Sequence, residues 1–169
     1  MVDPTVLFTL SYGLYIVSSA SEDGDAGCII NTATQVTSSP IQVMVALNKD
    51  NVTCQRIVES GHFALTMLDE TSDMPFIGRF GFRNSNDFKK FEGIECRRDG
   101  FGDPWTPEHA CGMLGCAVAQ TVDVGTHLLF VGEVTETEHL SKEKPLTYAY
   151  YHGVLKGKTP PKASSYVAE

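Results

Sequence analysis

The apolar pattern that recurs along this chain has a period of two. Residues 41–47, IQVMVAL, carry it most plainly: Ile41, Val43, Val45 and Leu47 share one face of a strand. Residues 14–20, LYIVSSA, are a β-rich run that ends in SEDGDAG, a turn holding Asp-Gly. Residues 26–36 return as a second strand, so the pair predicts a hairpin. His62–Leu68 reads as another strand. Residues 112–123 and 126–139 predict a hairpin around Asp123-Val124-Gly125.

Helical spacing is confined to short stretches. Asp3 can cap a first helix with Pro4 in its opening turn, Leu7 and Leu10 on one face, and Gly13 at its end. Residues 51–60 predict a helix capped by Asp50 or Asn51, stopped at Gly61, with Ile57 and Val58 toward the core. The span 69–110 mixes Gly, Pro, Phe and charge. It predicts short helices near 72–79 and 84–91, with loop and one short strand besides. The tail has a Tyr-rich segment and then, from about residue 155, an extension rich in Gly, Lys and Pro. The sum is about six to eight strands and three or four short helices, with strands following one another at turn spacing. That predicts a mainly-β chain with short helices, folded as an antiparallel barrel or sandwich in one domain over 1–169.

Composition narrows the function classes. Hydrophobic residues make up 42% of the chain and charged ones 20%, which fits a globular protein with a sizeable core. The net charge of −8 is scattered and argues against a nucleic-acid partner, which needs clustered Lys and Arg. No apolar stretch reaches the roughly 20 residues of a membrane helix, and MVDPTVLF lacks the basic start of a secretory signal. Five cysteines without regular spacing suggest no disulfide framework and predict a reducing, cytoplasmic compartment. His109, Cys111 and Cys116 lie close in sequence, but a zinc site needs further ligands at a known spacing. No metal site is expected, and Cys111 and Cys116 read as buried thiols. No GxGxxG follows a strand, and neither a P-loop nor a GxSxG motif occurs.

Two neighbouring turns concentrate hydrogen-bonding groups. Asn31, Thr32, Thr34, Gln35, Thr37, Ser38 and Ser39 precede Pro40, and Asn48, Lys49, Asp50, Asn51 and Thr53 cluster where the 41–47 strand ends. A ligand with a polar planar ring and one phosphate would use such a layout. Ordinary turn chemistry accounts for the same residue types. The start of helix 51–60 adds free N–H groups and a dipole that favour an anion beside Lys49.

Five segments in order carry a resemblance over most of the chain: NTATQVTSSP (31–40), NKDNVTCQRIVESGHFALTML (48–68), FIGRFGFRNSNDFKKF (76–91), THLLFVGEV (126–134) and PLTYAYYHGVLKGKTPPKA (145–163). The sequence resembles the flavin reductase-like family and, within it, the flavoredoxin and high-molecular-weight rubredoxin branch. The resemblance implies an antiparallel Greek-key split β-barrel that binds FMN. It implies that Asn31, Thr32, Ala33, Thr34 and Gln35 line the isoalloxazine, with Ser38 and Ser39 near the ribityl chain. Asn48, Lys49, Asn51 and Thr53 would bind the phosphate. His127 would act in catalysis beside flavin and nicotinamide, and Phe80 would pack near the flavin, with Phe82, from a partner subunit.

Two departures stand out: Thr126 replaces an acidic residue before the histidine, and Asn84-Ser85-Asn86 replaces a Ser-Gly-Arg. The implied activity is hydride acceptance from NADH or NADPH onto FMN, with electrons then passed to a protein carrier, a flavin or a metal. The implied assembly is a homodimer serving a small electron carrier such as rubredoxin. An FMN carrier reduced by another protein, or a non-redox ligand-binding barrel, are the alternatives.

Overall fold

The computed structural model describes residues 1–167. In chain order the strands are β1 (Tyr15–Ser21), β2 (Gly24–Ile30), β3 (Ala33–Ser38), β4 (Ile41–Asn48), β5 (His62–Leu68), β6 (Arg97–Arg98), β7 (Pro104–Trp105), β8 (Ala110–Asp123) and β9 (His127–His139). The helices are α1 (Val52–Ser60), α2 (Met74–Gly81) and α3 (Tyr148–Gly153). One large sheet runs β2-β1-β5-β8-β9-β4-β3, antiparallel at every junction, and β6 and β7 pair apart from it.

β2 and β3 follow each other in the chain yet form opposite edges of this sheet. Cys28 and Ile30 of β2 nevertheless share one buried cluster with Val43 and Val45 of β4. The sheet therefore curls until both ends face a common interior without closing, which is a split β-barrel with Greek-key strand order. The period-two reading of β4 describes this interior: Val43, Val45 and Leu47 are buried, while Ile41 lies at the exposed end.

The expected strand over 26–36 is two strands. β2 stops at Ile30 because it pairs only with β1, and the chain crosses through Asn31 and Thr32 to pair with β4 as β3. The Thr32 carbonyl accepts from Ala46 N at the crossing.

α1 follows its local signals. The Asn51 side chain accepts from Thr53 N at 2.9 Å, and Gly61 ends the helix in the left-handed region at φ 76°. Cys54 and Ile57 enter the barrel core, but Val58 is 59% exposed. Adjacent helical positions lie about 100° apart, so Ile57 and Val58 cannot share one narrow apolar stripe.

α2 begins where Asp73 accepts from Phe76 N, two residues beyond the expected start. The helix expected over 84–91 does not form. The Asn84 side chain accepts from Asn86 N at 2.8 Å, and its carbonyl takes Phe88 N in a single turn that goes no further. Local side-chain bonds of this kind compete with helix propagation. Residues 4–9 form a 3-10 helix that buries none of its residues, so Leu7 faces solvent, as does Leu10 just beyond it. Cys116 is buried as expected, whereas Cys111 is partly exposed. Among the described residues no helix is long and apolar enough to cross a membrane.

Candidate functional site

β4 ends at Asn48, and β9 begins at His127, its partner in register. From Asn48 the chain turns through Lys49 and Asp50 into the N-terminus of α1. Successive strand side chains point to opposite faces. Asn48 accordingly borders an internal cavity, and Lys49 does not. The Lys49 ammonium pairs with Asp123 at 2.6 Å, beside an outer recess lined by Cys54, Val58 and Leu128.

The cavity on the Asn48 side measures about 520 Å³, within the size range of small-molecule sites. Its floor is apolar, with Cys28, Ile30, Leu47, Ile77 and Phe80. Burial pushes the Cys28 thiol pKa up, so this sulfur stays neutral and is no nucleophile. Asn31, Asn48, Asn51 and His127 bring polar groups to the wall. The His127 ring has one nitrogen committed: Nδ1 lies 2.8 Å from the Thr126 hydroxyl. Its Nε2 is buried without a partner. A buried ring nitrogen left without a hydrogen bond is costly, and one at a cavity wall is suited to a ligand.

The far wall comes from α2, the segment that follows it, and the tail. Tyr148 and Tyr151 of α3 stack with ring centroids 5.7 Å apart and line the cavity. The chain then doubles back at Gly157, where a Cβ would collide with the Tyr151 ring. Residues 160–164 cross the cavity as a roof. The tail is tied to the polar wall: Asn31 Nδ2 donates to the Ser165 hydroxyl at 2.7 Å, Thr32 bonds Ser164, Asn48 Nδ2 donates to the Lys162 carbonyl at 3.4 Å, and Lys162 pairs with Asp50 at 3.2 Å.

These residues fit a flavin mononucleotide. The apolar floor suits a flat ring system, and the carboxamides suit its polar edge. The N-terminus of the nine-residue α1 suits a phosphate.

Comparison with known proteins agrees. The family model described as "Flavin reductase like domain" matches residues 7–157. The chain belongs to the flavin reductase-like domain family. It is 46% identical over 165 residues to the ferric-chelate reductase (NAD(P)H) of Archaeoglobus fulgidus, covering 98% of each chain. It is 38% identical to the high molecular weight rubredoxin of Moorella thermoacetica, covering 98% of this chain and 72% of that one. A solved NADH:FAD oxidoreductase from Streptomyces globisporus C-1027 shares the fold, with a TM-score of 0.77 and 22% identity over 87% of this chain and 91% of that one.

Within this flavin reductase-like barrel, the expected site residues separate into groups. Asn31, Asn48, Asn51, Phe80 and His127 converge on the cavity. Phe80 does so as part of its own chain's core, 1% exposed among Ile16, Phe76 and Ile77. Thr32 touches the tail that roofs the cavity. Thr34, Gln35, Ser38 and Ser39 are exposed, and Ala33 is partly so, all of them on or just past the β3 edge and away from the cavity lining. Thr53 is fully buried with its hydroxyl unpartnered, and only its main-chain N–H reaches the Asn51 cap. Sequence reasoning missed Lys90, Arg83 and the roof at 160–164 as wall residues. The one signal for the roof was the Gly-Lys-Pro-rich composition of the tail, which shows that a helix stops but not where the chain goes.

Proposed function

We propose that this chain is an NAD(P)H-dependent flavin oxidoreductase that holds FMN in the cavity between the β4–α1 turn, β2, α2 and the tail. The observation that carries the reading is the meeting of the α1 N-terminus, the carboxamides of Asn31, Asn48 and Asn51, and His127, whose Nε2 is unpartnered, around one apolar-floored cavity. Bound there, a flavin supplies two-electron chemistry that no side chain of this protein offers.

The protein's own share is binding and placement. The N–H groups that open α1 and the Asn51 carboxamide orient an anionic phosphate. Asn31 and Asn48 supply hydrogen bonds that fix the register of a planar ligand. His127 Nε2 positions the nicotinamide, with Thr126 holding the ring through Nδ1. Buried, neutral Cys28 and its apolar neighbours exclude water from the floor.

The tail supports FMN as a resident cofactor and not a flavin released each turnover, since the roof over 160–164 is tied to the polar wall through Asn31, Thr32, Asn48 and Asp50. The exposed apolar Val36 and Ile41 at the open β3 edge support a homodimer in which a second copy covers that edge. Electrons then leave to a small electron-carrier protein of the rubredoxin type. The free cysteines among the described residues support a reducing, cytoplasmic setting.

Anaerobic titration of the yellow protein with NADH and with NADPH tests the proposal. Bleaching of the flavin band at one equivalent supports it. A flavin that bleaches only with a reduced carrier protein makes the chain an electron carrier, and a colourless protein that takes up no FMN overturns the reading.

A further inference from the structure

Lys90 is 5% exposed, although the segment around it is largely at the surface. Its ammonium donates to the Gly27 carbonyl at 2.7 Å and to the Phe80 carbonyl at 2.8 Å. The first bond ties the 84–91 segment to β2, and the second satisfies a carbonyl in the last turn of α2. The segment presses close enough that a Cβ at Gly27 would sit 3.1 Å from the Phe91 ring. The ammonium is thus held in place and is not a mobile surface charge.

An ammonium has three donors, and two are used. Among the described residues no carboxylate lies within ion-pair distance of Lys90. Lys90 borders the cavity, as do Phe80 and Cys28, the latter next to the Gly27 carbonyl it grips. Burial lowers the Lys90 pKa, which marks a charge that gains from an anion placed nearby. Lys90 therefore presents a fixed positive charge without a carboxylate partner at a wall of low dielectric, where a charge acts more strongly than in water.

We propose that Lys90 sets the reduction potential of the bound flavin by favouring its reduced, anionic form. The inference rests on the cavity being the FMN site. Oxidised isoalloxazine is neutral. Two electrons and one proton, delivered together as hydride from the nicotinamide, convert it to the reduced anion, and nothing is lost from the protein. A fixed ammonium attracts the anion and leaves the neutral ring almost unaffected, so it raises the potential. A charge close to the ring is one of the ways a protein tunes a flavin. The phosphate carries the same charge in both redox states, so a lysine that only met the phosphate would leave the potential unchanged.

The experiment uses the FMN-loaded protein and its Lys90→Met, Lys90→Gln and Lys90→Arg variants. Potentials are read by anaerobic dye equilibration, and affinity for oxidised FMN by fluorescence quenching. In Lys90→Met the ratio of affinities for reduced and oxidised FMN falls about tenfold, a potential lower by about 30 mV for a two-electron couple. Lys90→Arg keeps the wild-type potential. Lys90→Gln, which can still donate to one carbonyl, shifts with Met, and it decides the matter if the Met variant does not fold. Neutral variants with an unshifted potential overturn the proposal, whatever their loss of affinity, and assign Lys90 to structure or to the phosphate. A wild-type protein that binds no FMN fails the cavity reading instead.

Discussion

Two regions of this barrel are rich in hydrogen-bonding side chains, and they are built differently. The crossing from Asn31 to Ser39 has its polar residues in sequence, but it delivers only Asn31 to the cavity and only Asn31 and Thr32 to the tail. The remainder runs out along β3, an edge strand open to solvent. The opposite wall gathers Phe80, Lys90, Tyr151 and residues 160–164 from three separate parts of the chain. The first region is dense in sequence and thin at the site; the second is the reverse. A strand alternates its faces, so consecutive polar residues cannot all serve one ligand. A wall assembled from distant segments has no such restriction. In the proposed reading, the assembled wall serves the flavin from within one chain, and the β3 edge is the part a second copy would cover.

Removing the assembled wall should have the largest effect. A chain ending at Gly157 loses the ties of the roof to Asn31, Thr32, Asn48 and Asp50 and the bonds of Tyr148 and Tyr151 to residues 158–159. The hydrogen bonds are worth about 0.5–1.5 kcal/mol net each, and the exposed ion pair is worth less. Its FMN should dissociate on the order of a hundredfold faster, read by flavin fluorescence after dilution. Unchanged retention would show that the roof does not hold the ligand.

His127→Ala comes next. The variant should keep its colour, because apolar floor and α1 N-terminus remain, but stopped-flow reduction by NAD(P)H should slow by roughly tenfold to a hundredfold. Loss of flavin would make His127 a binding group.

The third prediction addresses the open edge. Val36 and Ile41 are 49% and 52% exposed on β3 and β4. Changing both to Lys should give a monomer in sedimentation and weaken FMN by about tenfold, the share owed to a covering copy. A monomer with wild-type affinity would place the whole site within one chain.

The smallest effect is expected at Lys49. Its partner is the exposed Asp123, which the lysine's hydrogen bond holds below the ordinary carboxylate range. Lys49→Ala should change FMN affinity by no more than about twofold.

What the sequence made legible were features decided within a few residues. The Asn51 cap, the stop at Gly61 and the β8–β9 turn at Gly125, φ 101°, depend on local geometry, and they form as read. The buried face of β4 follows from its alternation. Illegible were outcomes that distant contacts decide. Lys49 and Lys90 are alike as letters, but Asp123 holds one outside the cavity, while the carbonyls of Gly27 and Phe80 draw the other in. Asn31 meets Ser165 across 134 residues, and no local pattern encodes that return. The missed turn at 84–91 is intermediate, since Asn84 is a local signal whose side chain competes with helix propagation.

The central claim is that the FMN phosphate lies at the start of α1, and Asn51→Asp tests it most directly. Asp caps a helix as well as Asn, so α1 is preserved, but a carboxylate now stands where the phosphate should be. FMN affinity should fall on the order of tenfold to a hundredfold from like-charge repulsion, while riboflavin, which has no phosphate, should bind as before. Equal behaviour of the two flavins would contradict the account.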